Sequence, residues 1–140
     1  MSNPSDKYTG KTRILVVDDC PVNARIAARV GRFGGFEVRE CHSAVEAAAV
    51  ARAWQPALVI ADVVMPDMDG SELCVVLKSD PETRDIPVLF VSGYAGDQYA
   101  PLGEFCGGAE FLPKPYAPVK LLRTMNRLLG RVAQSVEPTR

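Results

Sequence analysis

Residues 57–66 read Ala57-Leu58-Val59-Ile60-Ala61-Asp62-Val63-Val64-Met65-Pro66, an apolar run that stops abruptly at a carboxylate. Ile14-Leu15-Val16-Val17 stops in the same way at Asp18-Asp19. Val88-Leu89-Phe90-Val91 stops at Ser92, and the short run Phe111-Leu112 leads to Lys114-Pro115. A short, continuously apolar run bounded by polar residues has the pattern of a strand buried on both faces. Four such strands, each delivering a polar group at its carboxyl end, describe an open parallel sheet with a site along one edge. Three acids, a hydroxyl and a lysine converging there make a place for a divalent cation and a phosphoryl group.

The segments between these runs supply the crossovers. Pro21 suits the first turn of a helix in which Val22, Ile26, Ala27 and Val30 recur at helical spacing until Gly34-Gly35. Phe36 to Cys41 alternates apolar and charged residues as a strand does, and Ser43-Ala44-Val45-Glu46 has the form of a capping box. That box opens an alanine-rich helix to about Trp54. A helix is expected from about Ser71 to Lys78 and a short one near Gln98 to Cys106, where Pro101 and Gly103 both oppose a helix interior. Pro118 opens the last helix, with Leu121, Leu122, Met125, Leu128 and Leu129 as its apolar face. Strand and helix thus alternate five times, which predicts an α/β, doubly wound parallel sheet of five strands with five helices on its two faces. Residues 1–12 read as a flexible lead, 13–130 as one domain and 131–140 as a polar tail that frays.

Bulk properties narrow the function classes. The 140 residues suffice for one domain, and 47% hydrophobic with 24% charged residues argues for a soluble globular chain. A net charge of −1 leaves no bulk basic field for direct nucleic-acid binding. No apolar stretch reaches the roughly 18 residues of a membrane span, and Met1 to Thr12 is not a signal peptide, so a cytoplasmic location is expected. Cys20, Cys41, Cys74 and Cys106 lie far apart with no metal-binding spacing, and are expected to be buried, reduced thiols. Asp67-Met68-Asp69-Gly70 looks like part of a calcium loop, but Met65 and Val76 occupy its first and twelfth positions. His42, the single histidine, sits beside a strand end rather than on an exposed helix, so a role as phosphodonor is not expected.

Asp18-Asp19, Asp62, Met65-Pro66, Asp69-Gly70, Ser92-Gly93 and Lys114-Pro115, in this order and spacing, resemble the response-regulator receiver domain of two-component signalling, over about Arg13 to Leu129. The resemblance implies a flavodoxin-like three-layer sandwich, chemotaxis-regulator-like, with strand order 2-1-3-4-5. It also implies roles. Asp62 is the nucleophile that becomes an aspartyl phosphate. Mg²⁺ is held by Asp19, Asp62 and the Val64 carbonyl, with Asp18 acting mainly through water. Lys114 neutralises charge on the phosphoryl oxygens, and its place between Pro113 and Pro115 argues against a merely solvated loop lysine. Ser92 and Phe111 fill the switch positions. Lacking a hydroxyl, Phe111 rotates inward at no polar cost but cannot report through a hydrogen bond. Val64 and Tyr94 stand where side chains influence water attack, so an apolar Val64 implies a long-lived phosphorylated state.

The implied partners are a histidine kinase or histidine phosphotransfer protein upstream and a protein target downstream. The target is expected to bind over Gln98 to Arg127, with Arg123 and Arg127 as charged contacts, and the chain is expected to be a monomer or weak dimer. About ten residues follow the last helix, so a stand-alone switch is the leading expectation, not an enzyme beyond its own phosphorylation and dephosphorylation. A receiver cut from a hybrid kinase or larger regulator is the alternative, with which Val22-Asn23 is compatible. An aspartyl-phosphate phosphatase of the haloacid-dehalogenase kind is disfavoured. It needs Asp-x-Asp after the first strand and a cap, whereas Asp18 and Asp19 are adjacent and no cap-sized insertion exists.

Overall fold

The computed structural model of the chain describes residues 11–93 and 110–130. Its strands are β1 (Arg13–Val17), β2 (Glu37–Cys41), β3 (Leu58–Ala61), β4 (Val88–Ser92) and β5 (Glu110–Pro113). Its helices are α1 (Pro21–Phe33), α2 (Ala44–Trp54), α3 (Gly70–Ser79) and α4 (Pro118–Leu128). All pairings are parallel, in the order β2-β1-β3-β4-β5. Four helices are found among the described residues rather than the expected five; the helix placed near Gln98 to Cys106 lies outside them.

Side-chain alternation along the strands divides the core in two, as the two-residue period of a strand requires. Leu15, Val17, Val59, Ala61, Val88 and Phe90 point to one face, under Ala47 and Ala51 of α2 and Leu73 and Leu77 of α3. Ile14, Val16, Leu58, Ile60, Leu89 and Val91 point to the other, under Ala24 and Ala28 of α1 and Leu121 and Met125 of α4. β1, β3 and β4 are therefore covered on both faces, which is why they read as unbroken apolar runs.

Local chemistry sets the helix limits. Ser43 caps α2 by accepting the Glu46 N–H, and Gln55 ends it in a left-handed conformation at φ 55°. The Gln55 amide holds that turn by donating to the carbonyls of Arg52 and Glu82 at 3.0 and 2.9 Å. α3 opens with a full capping box between Asp69 and Glu72, so it starts one residue earlier than the sequence reading placed it.

Cys20 and Cys41 carry free thiols, and burial pushes the Cys41 thiol up to about 11, with Glu46 adding to the shift and Arg39 opposing it. Cys74 corrects the expectation of reduced thiols throughout: it is disulfide-bonded, and spacing along the chain does not show which sulfurs a fold brings together. Among the described residues no helix is long and apolar enough to cross a membrane.

Leu15 is fully buried in the strand next to β3. Leu15→Ala is expected to lower the unfolding free energy by about 2–5 kcal/mol. Urea unfolding should show an earlier midpoint at an unchanged slope.

Candidate phosphoacceptor site

The sheet ladder places the acids. The Asp62 N–H donates to the Val17 carbonyl at the end of β1, and the Asp18 N–H to the Cys41 carbonyl at the end of β2, both at 3.0 Å. The Lys114 N–H donates to the Ser92 carbonyl at 2.8 Å. Each of these residues is thus held by the neighbouring strand at the first position beyond its own. β3 lies between β1 and β4, so residues distant along the chain reach one edge.

Carboxylate oxygens of Asp18, Asp19 and Asp62 lie within 4.8 Å of one another. Asp18 is buried, Asp62 half-buried and Asp19 exposed. The Lys114 ammonium stands 3.0 Å from Asp18 Oδ2 and 3.4 Å from Asp62 Oδ2. Asp18 Oδ1 accepts the Cys20 N–H at 3.0 Å. Asp18 is therefore the acid most committed to protein partners, which leaves the outer carboxylates, Asp19 and Asp62, freer to meet a cation. The acids are not spent on capping α1, whose N-cap is Cys20 with no side-chain cap bond. Three carboxylates offering only oxygen suit a hard divalent cation such as Mg²⁺.

Burial raises the Asp62 carboxyl above its ordinary range; Lys114 pulls it down, Asp18 pushes it up, and the Val64 N–H at 3.4 Å lowers it again. Burial works to lower the Lys114 ammonium, but the hydrogen bond and charge of Asp18, with those of Asp62, outweigh it and hold the lysine protonated.

The remaining positions take different parts. Ser92 is buried at the end of β4 and pairs in register with Pro113, so it sits beside Lys114. Phe111 pairs with Phe90 in the same ladder and stacks on it, with centroids 5.2 Å apart and planes at 27°. Val64 is exposed on the loop that follows Asp62. Tyr94 and residues 98–109 of the expected output face lie outside the described residues. On that face Arg127 donates to Glu110 through both terminal guanidinium nitrogens, and the pairing holds the Glu110 carboxyl below its ordinary range. Arg127 is paired with β5 yet stays exposed, as does Arg123.

Two contributors escaped the sequence reading. At Gly70 an added Cβ would stand 2.7 Å from the Phe90 ring and 2.8 Å from the Asp62 carbonyl oxygen. Only glycine lets α3 start this close behind the acid, and the turn is closed by the Gly70 N–H on the Val63 carbonyl at 2.6 Å. The second is Asp67, whose carboxylate bonds Ser43 and Val45 of a different crossover. The Asp-Gly pair was legible as a motif, but neither contact has a signal in the sequence.

Comparison with known proteins gives this sheet order and acid–lysine cluster a family. The model of the response regulator receiver domain matches residues 14–126, and the chain belongs to that family. Response regulator PleD of Caulobacter vibrioides is 36% identical over 116 residues, 83% of this chain and 26% of PleD. Among solved structures, Vibrio cholerae chemotaxis protein CheY4 is 26% identical with a TM-score of 0.80, covering 85% of this chain and 99% of that one. The signal receiver domain of a signal transduction histidine kinase from Syntrophus aciditrophicus is 31% identical with a TM-score of 0.76, covering 92% and 95%. The chain spans about a quarter to a half of the length of the curated relatives it matches. Receiver domains are signalling switches, and they generally bind Mg²⁺ at an acidic pocket.

Without a divalent cation the folded chain holds the Asp62 proton more tightly than the unfolded chain does. Stability is then lost as pH rises from the ordinary carboxylate range through the raised value. Asp62→Asn is expected to stabilise the metal-free protein at neutral pH, with the gain closing as pH falls through the carboxylate range. Urea unfolding at neutral and acid pH checks this; a gain independent of pH contradicts it.

Proposed function

We propose that the chain is a phosphorylation-dependent switch in which Asp62 takes a phosphoryl group from the phosphohistidine of a histidine kinase or phosphotransfer protein. The observation that carries this reading is the Lys114 ammonium within 3.0 and 3.4 Å of Asp18 and Asp62, beside an all-oxygen acid cluster. An Asp62 carboxylate oxygen forms the new O–P bond as the P–N bond to the donor imidazole breaks. Lys114 orients the phosphoryl oxygens and offsets their charge. Asp19, Asp62 and the Val64 carbonyl would hold Mg²⁺, with Asp18 behind them through water. Bound there, the ion supplies charge neutralisation at the phosphoryl oxygens.

Ser92 lies beside Lys114, so its hydroxyl can donate to a phosphoryl oxygen and draw the loop after β4 inward. Phe111 follows, leaving or tightening its stack on Phe90, and the change is read by a target protein on the Gln98–Arg127 face. The switch acts in the cytoplasm over residues 13–130, as a monomer or weak dimer, without touching nucleic acid itself. A second reading, a receiver working inside a hybrid kinase or larger regulator, is favoured by the greater length of the matched relatives. Comparison with the full gene decides between the two.

Incubation with a small phosphodonor and Mg²⁺ should add one phosphoryl group by mass, and Asp62→Asn should add none. An unchanged wild-type mass, or equal labelling of the variant, sinks the reading. The exposed Val64 cannot orient water, so Val64→Asn should shorten the phosphorylated lifetime a few-fold in a decay time course. An unchanged decay removes Val64 from control of lifetime.

A further inference from the structure

Asp67 joins the loop behind Asp62 to a helix that carries none of the site's residues. Its Oδ2 accepts the Ser43 hydroxyl at 2.7 Å and the Val45 N–H at 3.2 Å, both at the start of α2. The Ser43 oxygen also accepts the Glu46 N–H at 3.3 Å, so the hydroxyl has its hydrogen on Asp67 and a lone pair on the helix. First-turn N–H groups lack partners within a helix and carry partial positive charge, which favours a carboxylate there. These bonds, the Ser43 hydroxyl first, pull the Asp67 carboxyl down to about 2.

The rest of the loop shows what this tie adds. Met65 is buried in the core and Met68 packs against it, which fixes how deep the loop sits. Apolar packing is not directional, however, and does not set where the backbone points. At the far end Asp69 is bound into the first turn of α3 through the N–H of Glu72 and the hydroxyl of Ser71. At the near end Val64 meets Asp62 through its own N–H. Asp67 lies between, and among the described residues its two bonds are the hydrogen bonds from this stretch to α2, while the Gly70 N–H on the Val63 carbonyl closes the turn on the α3 side.

We propose that Asp67 is a positioning residue for the phosphoacceptor centre. By bonding Ser43 and Val45 it sets where the Val64 backbone stands beside Asp62, and so how tightly a divalent cation is held. The proposal rests on the phosphoacceptor reading and extends it to a crossover on the other side of the loop.

Magnesium chloride titrated into the metal-free chain, followed by calorimetry and by the backbone amide signals of residues 62–64, tests it. Asp67→Ala should weaken Mg²⁺ binding about tenfold, within the usual range for groups that orient a metal ligand, and should shift the Val64 amide signal before any metal is added. Asp67→Asn keeps the acceptor oxygen and should restore most of the affinity. Ser43→Ala should act in the same direction, and the double variant should bind no more weakly than Asp67→Ala, since the two residues share one contact. If Asp67→Ala fails to fold, Ser43→Ala carries the test, because it removes the hydroxyl contact while leaving the loop's own side chains intact. Wild-type affinity in Asp67→Ala, or no rescue by Asp67→Asn, overturns the proposal alone. A wild-type chain that binds no Mg²⁺ overturns the phosphoacceptor reading, and the proposal falls with it.

Discussion

Asp18 and Asp62 leave adjacent strands at the same edge of the sheet, and the Lys114 ammonium bridges their carboxylates from β5, two places from β3 and three from β1. Like charges about 4 Å apart near a protein surface repel by about 4 kcal/mol at an effective dielectric of ~20. Partial burial increases that cost by removing water. A cation delivered by the fold itself is what lets these acids stay together, and the order β2-β1-β3-β4-β5 is what delivers it. The apolar interior serves this arrangement, since strands covered on both faces hold their carboxyl ends in fixed relation.

The division of labour follows from where each group is mounted. Asp18, Asp62 and Lys114 are held by backbone hydrogen bonds that extend the sheet by one residue. Asp19 and Val64 are exposed, on the turns that follow β1 and β3. The ion pair of Lys114 with Asp18 and Asp62 is therefore anchored by the sheet, while Asp19 and Val64 stand open to solvent. Phe111 lies between these extremes, half-buried and stacked on Phe90, whose ring also closes against Gly70 behind Asp62. Phe90 thus touches both the proposed switch residue and the turn behind the phosphoacceptor.

Much of this was legible in the sequence because it depends on local pattern. Ile14 to Val17, Leu58 to Ala61 and Val88 to Val91 are apolar on successive residues because both faces are covered, and each ends where the sheet meets solvent. The carboxylates and Lys114 were readable as strand-end residues, and the motif spacing supplied the order that puts them together. What was not legible depends on contacts between segments with no shared period. The Asp67–Ser43 bond joins residues 24 apart in two different crossovers, and Asp67 had read as part of a calcium-loop decoy. The pairing of Arg127 was likewise out of view, because its partner Glu110 is 17 residues away on another element. The disulfide state of Cys74 was hidden for the same reason.

β3 contains four residues, all buried, with Ala61 opposite Val17 and Asp62 immediately beyond. In a ladder with a two-residue period, one inserted residue turns every later side chain to the opposite face. A length change between Leu58 and Asp62 would therefore carry the acid away from Lys114 and bring wrong side chains into both halves of the core. The turn around Asp80 to Arg84 follows a helix and has no such alternation to keep, and Pro81, Glu82 and Arg84 are exposed although Thr83 is buried. Duplications and deletions should accumulate there across descendants of this gene, while the spacing from strand to acid stays invariant.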